Sequence, residues 1–442
     1  MGPFCQIKAP FNICMRILII TQIYLPEMGA LSNRLYPIVR ELAAAGHRIW
    51  IATGMPNYPA GKVFPAYRGK LSVRERQKDC EVIRTAYYTV PRNRSKVTQL
   101  LSYLSFMPAV LLSVLRSGKP DVVFVTSPPV FPIIPAIIAS RLRGTPLVLD
   151  VRDLWSDELV TYNNNRQASP SIRLIRALER WGYRASNLIG CTTNSIMETV
   201  IERGAAAEKT FYFPNGADLE LFEPLPRLNP IADGYGFGDK FVVMYSGLFG
   251  IKHGLEVLLE AAKQMRDMDD IVFFLVGDGA RRNALQQFVR DNALKNVIIS
   301  GERPVEEIPH ILARADICFA ACRPEPYPKK LISVKIFEYL ACERPVVGAF
   351  EGESARILEE SGGGIVVRPG DAVGIVNAIL KLRNDRTLRE TAGRRGREYV
   401  EQNFSRGTWA ANFERLLSNH IKLGATGEQH TASSADIGAI SR

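Results

Sequence analysis

From Met15 onward the hydrophobic residues fall into short unbroken runs, separated by longer segments whose apolar positions recur at helical spacing. The run "RILII" leads through a loop to a predicted helix over Leu31 to Ala45, Gly46 stops it, and "RIWIAT" follows. Further runs are "VVFVT", "PLVLDV" and "NLIGCT". Unbroken apolar runs with helical segments between them describe a parallel sheet covered on both faces, not a half-exposed antiparallel one. After "FYFPNGADLELFEP" the Pro- and Gly-rich stretch "LPRLNPIADGYGFGD" is the expected linker. A second series then begins with "FVVMYSG", "IVFFLVG", "VIISG", "ICFAAC", "PVVGAF" and "GGIVVR". The fold class this predicts is α/β, with two Rossmann-like doubly wound domains, 15–225 and 226–403, facing each other across a cleft. Hinges are expected at 226–240 and near Phe404.

A chain of 442 residues exceeds a single typical core, and 46% hydrophobic with 23% charged residues is a globular balance. The seven cysteines are scattered without CxxC spacing, and no two of the five histidines sit four apart. Neither a disulfide framework nor a metal site is therefore expected. The net charge of +11 is concentrated: residues 62–119 hold twelve Lys or Arg against three Asp or Glu. Inside that region lies Val97 to Leu115, nineteen residues without a charge, flanked by Arg92, Arg94, Lys96, Arg116 and Lys119. Two readings stand side by side, a helix half in a membrane interface and a buried crossover helix. Its serines, Pro108 and the strand that follows argue against a full span. Nucleic acid is not expected as a partner, because the basic region lacks interleaved aromatics at a module spacing. Residues 1–14 and 424–442 are expected to be disordered, and Met15 is a candidate natural start.

Candidate chemistry concentrates in "SVKIFEYLACERPVV", from Ser333 to Val347. Lys335 and Glu338 share one face of a predicted helix. At a strand's carboxyl edge, Lys335 can meet a phosphate and Glu338 can accept from the two hydroxyls of a ribose. The alternative is a salt-bridged surface turn. "VGDG", with Gly277, and "YSGLFGIKHG", with Gly247, Gly250 and Lys252, are possible phosphate loops. In the first domain "PEMGALSNR" puts Gly29 before a helix start. A GxGxxG fingerprint is missing, which disfavours a nicotinamide dehydrogenase.

Taken in order, "YLPEMGA", "GMPNYPAGKVFPAYRGK", "LVLDVRDLWSD", "FPNGADLELF", "YSGLFGIKHGLEVLLEAA", "GDGARRNAL" and "VKIFEYLACERPVV" resemble a known family. From about Met15 to Leu417 the chain is similar to the retaining glycosyltransferases of the GT-B fold, family four. Within it the likeness is to the WbuB-type branch of bacterial surface-polysaccharide aminosugar transferases. The resemblance implies a nucleotide-sugar donor held by the C-terminal domain. Glu338 would lie at the ribose, Gly247 and Lys252 at the diphosphate, and Gly29 would approach it from the other domain; with Gly277, Lys335 and Glu325 these are the candidate donor-binding residues. Asp150, Arg152 and Asp153 would sit where sugar and acceptor meet, with Arg152, Asp153 and Lys252 the candidate catalytic groups. A helix from about 404 to 422 would return to the first domain.

The family glutamate eight residues before the ribose carboxylate is Lys330 here, with Glu325 a possible substitute, and Val334 and Glu343 also depart from the branch. The implied activity is transfer of a hexose or acetamido-hexose, UDP-sugars favoured, to a lipid-linked or growing saccharide in cell-surface polysaccharide biosynthesis. It would need no metal or other cofactor. The expected location is cytoplasmic, peripheral on the inner face of the membrane. A nucleotide-sugar 2-epimerase of the same fold and a non-catalytic membrane-associated scaffold are the alternatives.

Overall fold

The computed structural model describes residues 14–27, 29–58, 60–91, 95–162, 169–324 and 332–426. The expected disorder of the two termini thus falls almost wholly outside the described residues, although 424–426 are the end of a helix. The chain forms two compact units, Met1–Pro214 with Gly407–Arg442, and Asn215–Arg406.

The first unit is built on eight strands: β1 (Arg16–Ile20), β2 (Arg48–Gly54), β3 (Ser72–Arg76), β4 (Glu81–Thr85), β5 (Val122–Ser127), β6 (Leu147–Val151), β7 (Leu188–Cys191) and β8 (Thr210–Tyr212). Their order is β3-β4-β2-β1-β5-β6-β7-β8. All neighbours are parallel except β3 with β4. In β1, residues Ile17 to Ile20 are each at most 1% exposed, as a strand covered on both faces requires.

The β3–β4 hairpin was not among the expected strands, and its composition explains why. Arg84 is fully buried in β4, with its Nε donating to Glu75 of β3 at 3.1 Å and its other arm to the Leu25 carbonyl. β3 is an edge strand, and its charged residues suit an edge that must not pair with another sheet.

The second unit carries β9 (Phe241–Ser246), β10 (Ile271–Val276), β11 (Val297–Ser300), β12 (Ile317–Ala321), β13 (Val346–Ala349) and β14 (Gly364–Val367). They are all parallel in the order β11-β10-β9-β12-β13-β14. The order reverses direction between β9 and β12 here, and between β1 and β5 in the first unit. Such switch points open a crevice at the carboxyl ends of the strands, where ligands of doubly wound sheets sit.

Two expectations about boundaries are corrected. The first crossing lies at Pro214/Asn215, not at 225/226. The stretch 226–240 is packed onto the second unit and is not a linker: Arg227 pairs with Asp316 at 2.9 Å, Asn229 caps a turn at Ala232, and Tyr235 and Phe237 pack on Phe274. The second crossing follows Arg406, where a helix of 21 residues, Arg406–Thr426, begins. Phe413 of that helix stacks on Phe213 at 4.9 Å and meets Phe124 edge-on, filling the first unit's core.

The apolar segment forms one helix, Lys96–Arg116, long and apolar enough to cross a membrane, with 33% of its 97–116 window buried. Its packed face is Ser102, Phe106, Val110, Ser113 and Val114, and the Ser113 hydroxyl meets that of Thr85. Val97, Leu100, Leu101, Leu104, Leu112 and Leu115 are exposed. The helix thus buries one apolar face, with two serines in it, and leaves a second, leucine-rich face exposed.

Arg34, in the helix Ala30–Ala44, forms a bidentate pair with Asp150 of β6 at 2.7 and 3.1 Å and donates to the carbonyls of Phe213 and Pro214. Asp150 also accepts from Thr126 at 3.1 Å and is fully buried, so it ties helix, sheet and crossing together and is not an acceptor-facing group. Removing Arg34 takes away the bidentate partner of a fully buried carboxylate and leaves it only the Thr126 hydroxyl and the more distant charge of Arg152. Arg34→Met is therefore expected to destabilise the protein by about 3–5 kcal/mol. Denaturant unfolding checks this, and a loss under about 1 kcal/mol would show that Asp150 is satisfied without Arg34.

Candidate nucleotide-sugar site

In the second unit the loops leaving β9 and β10 touch through their backbones. Gly247 N donates to Val276 O at 2.8 Å, and Phe249 N donates to Asp278 O at 2.8 Å. Gly277 has φ 144°, and a side chain there would collide with the Gly247 carbonyl. Gly247 has φ 127°, and a Cβ on it would stand 2.7 Å from Cε of Lys335. Both positions demand glycine, by conformation and by space.

Lys335 comes from the helix Val334–Ala341, whose first turn has no side-chain cap. The helix is moored to β9 by Tyr339, whose hydroxyl accepts from Ser246 N at 2.8 Å and donates to Ser246 O at 3.1 Å. The Lys335 ammonium lies 5.3 Å from the centre of the Tyr245 ring. Burial, with repulsion from Lys252, lowers its pKa to about 8, against a smaller opposing pull from Glu338. Burial pushes the Glu338 carboxyl above the usual range, while Arg406 and Lys335 pull it back. The Lys252 carbonyl accepts from Arg323 N at 2.8 Å, which fixes the loop that carries this second lysine. Gly247, Gly277, Lys252, Lys335 and Glu338 are thus gathered at the switch point of one sheet. The result is a cationic floor with one enclosed carboxylate beside it, which suits a diphosphate and a neighbouring diol.

His253 also belongs here. It stands between Gly250 and Gly254, and a Cβ on Gly250 would be 3.2 Å from its ring. Burial and the two lysines lower its pKa to about 2, so the imidazole is neutral at ordinary pH. Sequence reasoning passed over it because nothing in "IKHG" ties a histidine to a lysine 82 positions further on (335 minus 253).

In the first unit, Gly29 precedes the helix Ala30–Ala44 in extended backbone at φ 169°, with the Tyr58 ring 3.1 Å from where a Cβ would stand. The loop before it is held by Glu27, a buried carboxylate accepting from Asn57 N at 2.8 Å and Tyr58 N at 2.9 Å. Arg152 and Asp153 follow β6 at the same carboxyl edge. The Arg152 Nε donates to Thr126 Oγ1 at 2.9 Å and another arm to Pro128 O, while its backbone N donates to Ser127 O at 2.8 Å. Its bonds hold the turn after β5 in place, a positioning role. Glu325 and Lys330 lie outside the described residues.

Two family models match the chain, "Glycosyl transferase 4-like domain" over residues 29–216 and "Glycosyl transferases group 1" over 240–385. A relative named for colanic acid biosynthesis, the glycosyl transferase WcaI of Escherichia coli K12, is 26% identical over 402 residues, covering 86% of this chain and 96% of the relative. Among solved structures, HepE of Anabaena in complex with UDP and glucose superposes with a TM-score of 0.69 at 21% identity, over 91% of this chain and 99% of HepE. Sucrose-phosphate synthase of Thermosynechococcus elongatus gives 0.70 at 18% identity, over 92% of this chain and 99% of that one.

A lysine with a pKa of about 8 should make anion affinity fall as pH rises, because the neutral amine dominates above that value. UDP affinity relative to Lys335→Met is expected to drop roughly tenfold between pH 7 and 9. Calorimetric titration at several pH values checks this, and a constant ratio would place the phosphates away from Lys335.

Proposed function

The chain belongs to the GT-B glycosyltransferases, and from that premise we propose that it transfers a hexose or acetamido-hexose from a nucleoside-diphosphate sugar, UDP-linked by preference. The acceptor is a lipid-linked or growing saccharide in cell-surface polysaccharide assembly, and the anomeric configuration is retained. The observation that carries the reading is the convergence of Gly247, Gly277 and Lys335 on one helix start, with Glu338 beside it. The colanic acid designation of WcaI and the UDP and glucose bound in HepE favour the same substrate classes.

As the bond from the sugar's anomeric carbon to the phosphate oxygen breaks, negative charge grows on the diphosphate. Lys335 and Lys252 are already in place to stabilise it, so little reorganisation accompanies the step. The acceptor oxygen bonds to the same face of the anomeric carbon, and its proton passes to a leaving-group phosphate oxygen. This removes the need for a separate base, and the neutral His253 is suited to hydrogen-bond rather than to repel the cationic pair. Asp153 and the turn held by Arg152 orient the acceptor hydroxyl. The charge on the leaving group is met by side-chain cations, so the transfer proceeds without a metal.

The exposed leucines of the helix Lys96–Arg116 are the surface that meets the lipid. Their flanks are cationic in sequence, which matches an anionic leaflet. The enzyme acts in this reading as a peripheral protein on the cytoplasmic face of the membrane.

Four measurements test this reading. A panel of UDP-, GDP-, dTDP- and CMP-sugars should give selective binding, weakened by Glu338→Ala by about 2–3 kcal/mol, roughly 30- to 150-fold. Binding of none by folded protein would remove the enzyme reading in favour of a scaffold. Lys335→Met should lower kcat by about 10²–10³, with EDTA leaving turnover unchanged; inhibition by EDTA reversed by a divalent cation would overturn the metal-free step. Proton NMR of the product should show the donor's anomeric configuration, and a 2-epimerised nucleotide sugar in place of a glycoside would identify the epimerase. Serine at Leu100, Leu101, Leu104 and Leu112 should abolish sedimentation with phosphatidylglycerol vesicles, and unchanged co-sedimentation would refute the leucine face.

A further inference from the structure

We propose that Arg406, at the second crossing of the chain, is a positioning residue that holds the Glu338 carboxylate oriented to accept the two ribose hydroxyls while Lys335 turns to the phosphates. The inference rests on the reading of Glu338 as the ribose-binding group.

Glu338 is an enclosed carboxylate, its side chain 23% exposed, and such a group needs a counter-charge near it. Two cations face it. Lys335, one turn earlier on the same helix, acts on it electrostatically, and the Arg406 Nη2 lies 3.7 Å from its Oε1. That separation is too long for a direct hydrogen bond. Arg406 therefore supplies charge while leaving the carboxylate lone pairs available to a ligand's hydroxyls. Of the groups nearby, the Cys342 thiol is pushed up to about 12, chiefly by burial and in part by the Glu338 charge, and stays neutral, while two others have partners of their own. Arg397, from the helix Arg386–Asn403, donates to the carbonyls of Phe222 and Ala341 and pairs with Glu401, and the Tyr339 phenol is bonded to Ser246.

The division of labour follows from charge. A diphosphate bound at Gly247 draws on Lys335, and Glu338 would lose that partner on donor binding if no second cation stood by. Arg406 is that second cation, and its place is set by backbone contacts. Ala217 N donates to Phe404 O at 3.0 Å and Arg406 N donates to Ala217 O at 3.0 Å, so the two crossings are bridged side by side. Gly216 lies against the Phe404 carbonyl with no room for a Cβ. The Phe404 ring stacks on Phe337, the residue before Glu338, at 4.4 Å with planes 26° apart. The arginine and the carboxylate are thus carried by elements packed against each other. Without Arg406, burial would push the Glu338 carboxyl further up, and ribose binding would weaken as the pH falls through its pKa.

The test uses the full-length protein with UDP and GDP and their 2′,3′-dideoxy counterparts, titrated at pH 6.0 and 7.5. Glu338→Gln should erase the preference for the ribonucleotide over the dideoxy form. Arg406→Gln should weaken ribonucleotide binding roughly tenfold at pH 6.0 and about threefold at pH 7.5 relative to wild type. It should reduce the ribose preference more at the lower pH, and Arg406→Lys should restore both. In the Glu338→Gln background, Arg406→Gln should change affinity less than twofold, because its effect passes through the carboxylate. This double variant removes the buried charge and serves as well if Arg406→Gln alone does not fold. A pH-independent loss, or a further loss in the Glu338→Gln background, would overturn the role of Arg406 while leaving the ribose reading intact. A ribose preference that survives Glu338→Gln, or no binding of either nucleotide, would overturn both.

Discussion

The Gly247 carbonyl occupies the space that a Cβ on Gly277 would fill, and Lys335 rests its aliphatic stem on the space that a Cβ on Gly247 would fill. Three segments, the loops after β9 and β10 and the start of the helix Val334–Ala341, can converge only because two side chains are absent. The rest of the site follows from that approach. Lys335 is pressed between backbone and the Tyr245 ring and loses solvent, which lowers its pKa. Glu338, on the next turn, is enclosed in its turn and needs compensating charge. A pocket of this kind is costly for the protein alone and favourable once an anion and a diol complete it.

The first unit solves a different problem at its own sheet edge. The loops after β1 and β2 are joined through Glu27, and the short turn after β5 is held by Arg152. Glu27 gathers the backbone of Asn57 and Tyr58, and Arg152 gathers the turn from Thr126 to Pro128. The Arg34–Asp150 pair fixes the helix behind them to the sheet and to the crossing at Phe213 and Pro214. Loops at a sheet edge must be held rigid if they are to present a fixed surface. Buried carboxylates and guanidiniums bonded to backbone supply that rigidity without regular secondary structure.

Much of this was legible in the chain because parallel strands announce themselves. The unbroken runs of β1, β2, β5, β6 and β7 and of all six strands of the second unit are apolar on both faces. β3 and β4 were not legible, since Arg84 is buried through partners at Glu75 and Leu25 that local pattern cannot reveal. The expected linker failed for a related reason: Pro and Gly in 226–240 mark turns, and turns can be packed, as Tyr235 and Phe237 on Phe274 demonstrate. That Gly247, Gly277, Lys335 and Glu338 stand at strand ends and a helix start was visible in local spacing, whereas part of the roles expected of them came from the resemblance. His253 and Arg406 were not, because each matters only through residues brought close by tertiary packing. The apolar segment 97–115 was legible as a helix, but which of its two apolar faces is buried depended on tertiary partners such as Thr85, and the leucine-rich face stays exposed.

A crystal structure with UDP bound would show directly whether Lys335 and Glu338 divide the nucleotide between them. The diphosphate should lie within hydrogen-bond reach of the Lys335 ammonium and the Gly247 backbone, with the ribose hydroxyls on Glu338. Nucleotide bound elsewhere, or bound here with its ribose turned away from Glu338, would contradict that division.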